Sequence, residues 1–104
     1  VERARLAAAS DDVASEALWR TARARLLAAR GDLDEAERHA REAVRLVEGT
    51  DALNLHADCL VDLAGVLAAR DDGAAARGSL DEAVRLYRLK GNEVSAQHAL
   101  ELRA

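Results

Sequence analysis

The chain has 104 residues, a formal net charge of −4 and a hydrophobic content of 50%. Alanine (25 residues) and leucine (16 residues) dominate that half, with one Trp, one Tyr and no Phe, Met, Ile or Pro. Because strong helix formers prevail and no apolar run approaches ~20 residues, the composition excludes a β-sandwich, a barrel and a transmembrane helix. The lack of a basic excess argues against a general nucleic-acid binder. One cysteine excludes a disulfide framework and is compatible with a reducing cytoplasm.

The first predicted helices follow from cap residues and apolar spacing. We expect residues 1–9 to be the tail of a preceding helix, and Ser10, Asp11 and Asp12 to cap a helix that runs from Val13 to Ala29. Gly31 is placed to end that helix as a C′ glycine. No signal peptide opens the chain and Val1 is not an initiator methionine, so we expect a segment excised from a longer protein.

Four further helices complete the predicted order. Asp32, with Glu35 three residues later, predicts a capping box for a second helix that ends before Gly49. Apolar spacing predicts a third helix over residues 52–69. Asp71 and Asp72 are placed to cap a fourth helix that reaches Leu89, and residues 91–92 break the chain before a short helix over residues 93–102.

Two blocks of sequence recur at one offset of 40 residues. Residues 42–46 (Glu-Ala-Val-Arg-Leu) recur unchanged at 82–86, and residues 26–30 recur as 66–70 with one conservative change. A fixed period of this length is typical of stacked helical repeats. We therefore expect one domain over 1–104, with repeat 1 at 11–49, repeat 2 at 51–90, and 92–104 as the start of a third repeat or a capping helix.

The repeat also addresses an ambiguity in the fourth helix. Gly78 and Ser79, with Glu82, resemble a new helix start, but the offset places Ser79 opposite His39, which lies within a predicted helix. We therefore favour one continuous helix that tolerates Gly78 at a cost of about 1 kcal/mol.

The spacing of bulky and small residues resembles the tetratricopeptide repeat family. Repeat 1 matches more loosely than repeat 2, because Arg20 and Arg23 stand where apolar residues belong. In repeat 2 the seven pattern positions are filled by Leu60, Leu63, Ala64, Leu67, Ala76, Leu80 and Ala83. The resemblance implies an all-α fold in which antiparallel helix pairs stack as an α-solenoid of about five helices. Small residues let such helices approach closely; we expect this role for Ala24, Ala36, Ala43, Ala64, Ala76 and Ala83.

A closer resemblance covers nearly the whole chain. The runs 17–20, 35–38 and 90–92, among others, look like the C-terminal repeats of actinobacterial regulators of the adenylate/guanylate cyclase or AAA-type ATPase kind. In that group Gly is usual where this chain has Asp71. The resemblance implies a sensor or scaffold arm beside a nucleotide-handling domain. The 104 residues contain no P-loop pattern, so any catalysis by the parent protein would lie elsewhere.

If the stack curves as arrays of this family do, the first helix of each pair lines a concave side. The resemblance then implies a binding surface that lacks the Lys/Asn set of a carboxylate clamp. We predict this surface to contain Leu18, Thr21, Arg25, Ala28, Asp58, Val61, Asp62 and Gly65.

The sequence gives little support for a metal site. His56, Cys59 and Asp62 share a helix face, but a structural zinc site needs four ligands, so we expect Cys59 to be a small buried residue. We expect Trp19 and Tyr87 to lie in the core, with the Tyr87 hydroxyl reaching solvent.

We expect the arginines of the first helix to form a solvated face paired with Glu16, Glu35 or Glu37.

The functional hypothesis is a non-catalytic, cytoplasmic interaction or regulatory module without cofactor, metal or catalytic residue. Its partner would be a protein or peptide segment, or another domain of the parent, and neither nucleic acid nor a membrane. The alternatives are self-association through the open ends of the stack and, remotely, a small metal protein.

Overall fold

A computed structural model describes the backbone of residues 2–104 and the side chains from residue 12 onward. Five α-helices follow one another: α1 (Glu2–Ala29), α2 (Leu33–Val47), α3 (Leu53–Ala69), α4 (Gly73–Leu89) and α5 (Glu93–Arg103). The described backbone contains no strand. Each helix packs against the next, and α1 also contacts α3. The fold is the expected all-α stack of helix pairs.

The beginning of α1 differs from the prediction. The helix runs without a break from Glu2 to Ala29, so the expected end of a preceding helix near residue 9 and the new start at Ser10 are wrong. Residues 2–29 contain neither Gly nor Pro, and a side chain that can cap a helix acts as a cap only where the backbone leaves the helix. Val1, the first residue of the predicted tail, lies outside the described residues.

Three of the four turns between helices have the same backbone bonding. In each, the second residue after the helix takes a left-handed conformation: φ is +86° at Gly31, +63° at Asp71 and +79° at Gly91. Each turn is a Schellman motif, with one bond closing six residues and one closing four. The outer bonds run from Asp32 N to Leu27 O (2.9 Å), Asp72 N to Leu67 O (2.9 Å) and Asn92 N to Tyr87 O (2.8 Å).

The residue that closes each Schellman turn also stands before the next helix. The side chains of Asp72 and Asn92 accept hydrogen bonds from the backbone N–H groups of Ala75 and Ser95. Asp32 makes no such side-chain bond, so the predicted capping box at the start of α2 is wrong. The backbone of the Schellman turn positions α2 without it, since Ala36 N donates to Asp32 O at 2.9 Å.

Helix α4 is continuous through Gly78, as predicted. Ser79 is buried and its hydroxyl donates to the carbonyl oxygen of Leu60 at 2.7 Å, which joins α4 to α3. Ser79 is therefore a link between the two helices of repeat 2 rather than a helix cap.

The core is built on small side chains around α3. The six alanines expected at helix contacts are all buried, at 7% exposure or less, so the helices approach closely at those positions. Leucines and one tyrosine fill the space between them, and each buried leucine contributes about 1.5–3 kcal/mol. The larger members of this cluster are Leu27, Leu60, Leu63, Leu67, Leu80, Leu86 and Tyr87.

Candidate functional site

The predicted concave surface is only partly assembled in the structure. Thr21 is 3% exposed and its hydroxyl donates to the carbonyl oxygen of Leu18 at 2.9 Å, so its side chain is not part of an open surface. Leu18 is exposed and Ala28 is half-buried, but neither lines a cavity with the rest. The other five predicted residues lie along two adjoining cavities: Arg25, Asp58, Val61, Asp62 and Gly65.

An ion pair joins the first helices of the two repeats at this surface. Nη1 of Arg25 in α1 lies 3.2 Å and 3.4 Å from the two carboxylate oxygens of Asp62 in α3. Burial raises the pKa of the Asp62 carboxyl, and the nearby charge of Asp58 adds to that rise while Arg25 opposes it. The net direction is upward, so Arg25 does not fully offset the burial of this carboxylate.

A second link at the surface was missed by the sequence analysis. Tyr87 is buried, as expected, but its hydroxyl donates to the carboxylate of Asp58 instead of reaching solvent. Burial and this hydrogen bond both raise the pKa of the Tyr87 phenol. Asp58 is thus held by α4 while it remains exposed at the surface.

The two cavities differ in chemistry and share Val61. A polar cavity of about 260 Å³ lies among Arg25, Asp58, Val61, Asp62, Tyr87, Ser95 and His98. A mostly apolar cavity of about 290 Å³ lies among Val61, Ala64, Gly65, Ala68, Gly73, Ala76, Arg77, Leu80, Leu102 and Arg103. Helices α4 and α5 complete both cavities. The 40-residue offset could have identified His98, because it places this residue opposite Asp58.

The exposed side of repeat 1 contains an aromatic and charged cluster. Trp19 is 53% exposed, so the expectation that it lies in the core is wrong. Its ring meets that of His39 edge to face with centroids 5.6 Å apart, and the Arg20 guanidinium lies 5.1 Å from the indole centroid. Arg20 also pairs with Glu16 at 2.9 Å, as expected for a solvated face. The contact with His39 of α2 leaves about half of the indole exposed.

The residues of the remote metal hypothesis do not form a site. Cys59 is fully buried in a cluster with Ala17, Ala43 and Val47, which confirms its expected role as a small apolar residue. Burial raises the pKa of its thiol to about 12, and Asp62 adds to the rise. Among the side chains described from residue 12 onward, no three His, Cys, Asp or Glu lie together as a metal ion requires.

Comparison with known proteins identifies the family. A family model described as tetratricopeptide repeat matches residues 17–49 and 56–89, which is more than half of the chain. The chain belongs to the tetratricopeptide repeat family. Repeats of this family generally mediate protein–protein interaction and are non-catalytic scaffolds. No curated protein and no solved structure matches the chain with significance.

The two matches also locate the residues that lengthen the period beyond the usual 34. Residues 50–55 lie between the matches and form the α2–α3 turn and the beginning of α3. This turn is the one that lacks the Schellman bonding of the other three.

Within the described backbone, no helix is both long enough and apolar enough to cross a membrane.

Proposed function

We propose that the chain is a non-catalytic interaction module that binds a peptide segment of a protein partner across the two cavities that meet at Val61. The observation that carries the proposal is this adjacency of an apolar and a polar cavity. A peptide bound there would satisfy the usual requirement of a binding site for apolar burial beside a few placed polar groups.

The lining predicts the chemistry of the segment. The apolar cavity of about 290 Å³ has space for an aliphatic side chain beside Gly65. The polar cavity offers carboxylate oxygens of Asp58 and Asp62, which accept hydrogen bonds from lysine or backbone N–H groups. We therefore expect an aliphatic residue followed or preceded within a few positions by a lysine or arginine.

A peptide-display selection on the intact chain tests this function. The selected peptides are titrated calorimetrically against the wild type, Gly65→Leu and Gly78→Leu. Filling the apolar cavity in Gly65→Leu is expected to weaken binding at least about tenfold, which corresponds to about 1.4 kcal/mol. Gly78→Leu adds the same side chain on the exposed side of α4 and is expected to leave the affinity unchanged. Equal affinity for all three proteins would contradict the proposal.

The parent protein is also part of the proposal. The resemblance of runs 17–20, 35–38 and 90–92 supports an origin in a bacterial regulator with a cyclase or ATPase domain, for which this chain is the interaction arm. The single, buried cysteine supports a reducing, cytoplasmic compartment, and the net charge of −4 supports protein rather than nucleic acid as the partner. The sequence of the full-length gene tests this origin, and a gene without such a domain would contradict it.

Self-association is the second candidate function. It is favoured by three exposed apolar side chains near the C-terminal end of the stack, Leu89, Val94 and Leu102. Sedimentation at several concentrations distinguishes the two candidates, because a monomer at every concentration eliminates self-association and leaves the peptide-binding function unaffected.

A further inference from the structure

Two glycines open the apolar cavity that α3, α4 and α5 line in repeat 2. Gly65 in α3 and Gly73 at the start of α4 both lie at this cavity. The residues 40 positions earlier in repeat 1 are Arg25 and Leu33. A Cβ added at either glycine meets no other atom within 4 Å. Repeat 2 therefore lacks two side chains that repeat 1 has, and a space of about 290 Å³ lies beside both glycines.

The inner wall of this cavity is apolar. Ala64, Ala76 and Leu80 line it and are exposed by 7% or less. Leu102 of α5 lines it as well and is 52% exposed, so its side chain is available to a ligand. The volume lies at the lower end of the range for small-molecule sites, which begins at about 300 Å³. These walls favour a small aliphatic group, because its burial beside Leu102 removes apolar surface from water.

The charged groups at this cavity have one sign. Both charged residues of its described lining are arginines, Arg77 of α4 and Arg103 of α5. Arg103 pairs with Asp81, whereas Arg77 forms no ion pair with any of the side chains described from residue 12 onward. In repeat 1 the equivalent of Arg77 is Glu37, which pairs with Arg70. Repeat 2 therefore offers the N–H donors of a guanidinium to an anion at the edge of the apolar cavity.

The polar cavity beyond Val61 has a different charge pattern. Asp58 and Asp62 line that cavity, so a cationic head group is attracted to their carboxylates rather than to Arg77. The sign of the charge on an amphiphilic ligand therefore determines which of the two cavities it prefers.

We propose that the apolar cavity is a binding site for a medium-chain fatty acid. The aliphatic chain lies along Leu80 and Leu102, and the carboxylate accepts hydrogen bonds from Arg77. Arginine suits this role because its guanidinium can donate two parallel N–H bonds to one carboxylate. The site does not depend on peptide binding, although a fatty acid and an aliphatic side chain of a peptide would exclude one another from the cavity.

Titration of the intact chain with fatty acids tests the proposal. The probes are butanoate, hexanoate and octanoate, and binding is followed by amide chemical shifts. We expect saturable changes at Gly65, Gly73 and Ala76, and none at the Trp19 indole. Each buried methylene contributes about a threefold gain in affinity, so hexanoate is expected to bind roughly tenfold more tightly than butanoate. Octylammonium, which has the opposite charge, is expected to bind at these residues at least about tenfold more weakly than octanoate.

Two pairs of variants separate the aliphatic and the anionic contributions. Gly73→Leu restores the leucine that repeat 1 has at this position and is expected to weaken octanoate binding at least about tenfold. Gly78→Leu adds the same side chain to the exposed side of α4 and is expected to leave the affinity unchanged. Arg77→Gln is expected to weaken octanoate binding about five- to tenfold. Arg85→Gln, at an arginine of α4 outside the cavity lining, is its control. Circular dichroism verifies that each variant is folded.

Several results would overturn the proposal. They are a lack of saturable octanoate binding, tighter binding of octylammonium than of octanoate at the same residues, and an octanoate affinity that Arg77→Gln or Gly73→Leu leaves unchanged. None of these measurements includes a peptide, so failure of the fatty-acid site and failure of the peptide-binding function are distinguishable.

Discussion

The hydroxyl of Tyr87, at the end of α4, donates to the carboxylate of Asp58 in α3, 29 positions earlier in the chain. The Tyr87 backbone carbonyl also accepts the outer bond of the α4–α5 turn, from Asn92 N at 2.8 Å. One residue therefore joins α3 and α4 and closes the turn that leads to α5. Because Asp58 lines the polar cavity, the position of that carboxylate depends on the packing of α4.

Removing the hydroxyl in Tyr87→Phe is expected to destabilise the fold by about 1.5–3 kcal/mol, the typical value for a hydrogen bond to a charged group. Because the ring stays in the core, the loss of unfolding free energy measures the contribution of the hydrogen bond. Urea unfolding measures it. In the double variant with Asp58→Asn, the two losses should not add, because both substitutions affect the same hydrogen bond. Additive losses would contradict the contact.

Replacing Asp71 by Gly is expected to stabilise the chain by about 0.5–1 kcal/mol, because Asp71 has a φ of +63°, a conformation that glycine adopts without a steric penalty. The reverse change, Gly31→Asp, places the same residue in the equivalent turn and is expected to destabilise by a similar amount. Thermal unfolding of both variants tests this pair. Shifts of the same sign in both would show that the left-handed conformation does not determine the effect.

Acidification is expected to destabilise the fold through His39. Burial, followed by the charge of Arg20, lowers the His39 pKa below its ordinary 6.5. The unfolded chain then binds more protons than the native state as the pH falls through that ordinary value, so stability decreases. The loss between about pH 7.5 and about pH 5.5 is expected to be smaller in His39→Gln than in the wild type. His98→Gln, at an exposed histidine, is the matched control. An unchanged loss in His39→Gln would contradict this assignment.

The Cys59 thiol is expected to resist alkylation in the native state. It is fully buried and its pKa is raised to about 12, so both access and the reactive thiolate are lacking. Labelling is expected to occur only as fast as the fold opens, and to slow further in Asp71→Gly. Mass spectrometry follows the reaction, with Ala22→Cys on the exposed side of α1 as a positive control. Rapid labelling of Cys59 in the native wild type would contradict its burial.

Local sequence signals predicted most of the fold. Glycines and cap residues predicted the ends of four helices to within a few residues. The placing of small residues in the repeat pattern predicted the alanine contacts, and the 40-residue offset predicted the continuity of α4 through Gly78. The start of α1 was predicted wrongly, because Ser10 can cap a helix or lie within one. The choice depends on the backbone before it rather than on the residue itself.

Exposure at the site was harder to predict, because it depends on which neighbour covers each helix. Trp19 and Cys59 occupy equivalent positions, yet Cys59 is fully buried beside Ala43 and Val47 of α2, whereas Trp19 meets the His39 ring of α2 and stays half-exposed. Thr21 was assigned to the open surface by the resemblance to curved arrays of the family, whereas its side chain is buried and its hydroxyl bonds within its own helix. Tyr87 and Ser95 line the polar cavity from α4 and α5. The periodicity of a single helix cannot predict which residues of other helices lie beside it.

The repeated turn has a consequence for how such chains grow. The turn at Arg70 lies inside repeat 2 and the turn at Lys90 lies after it, yet both satisfy the helix-end carbonyls in the same way, 20 residues apart. The backbone bonding of the turn therefore repeats with each helix, at half of the 40-residue period. Inserting one helix together with such a turn would keep the helix-end carbonyls of that junction bonded, whereas the α2–α3 turn does not have this bonding.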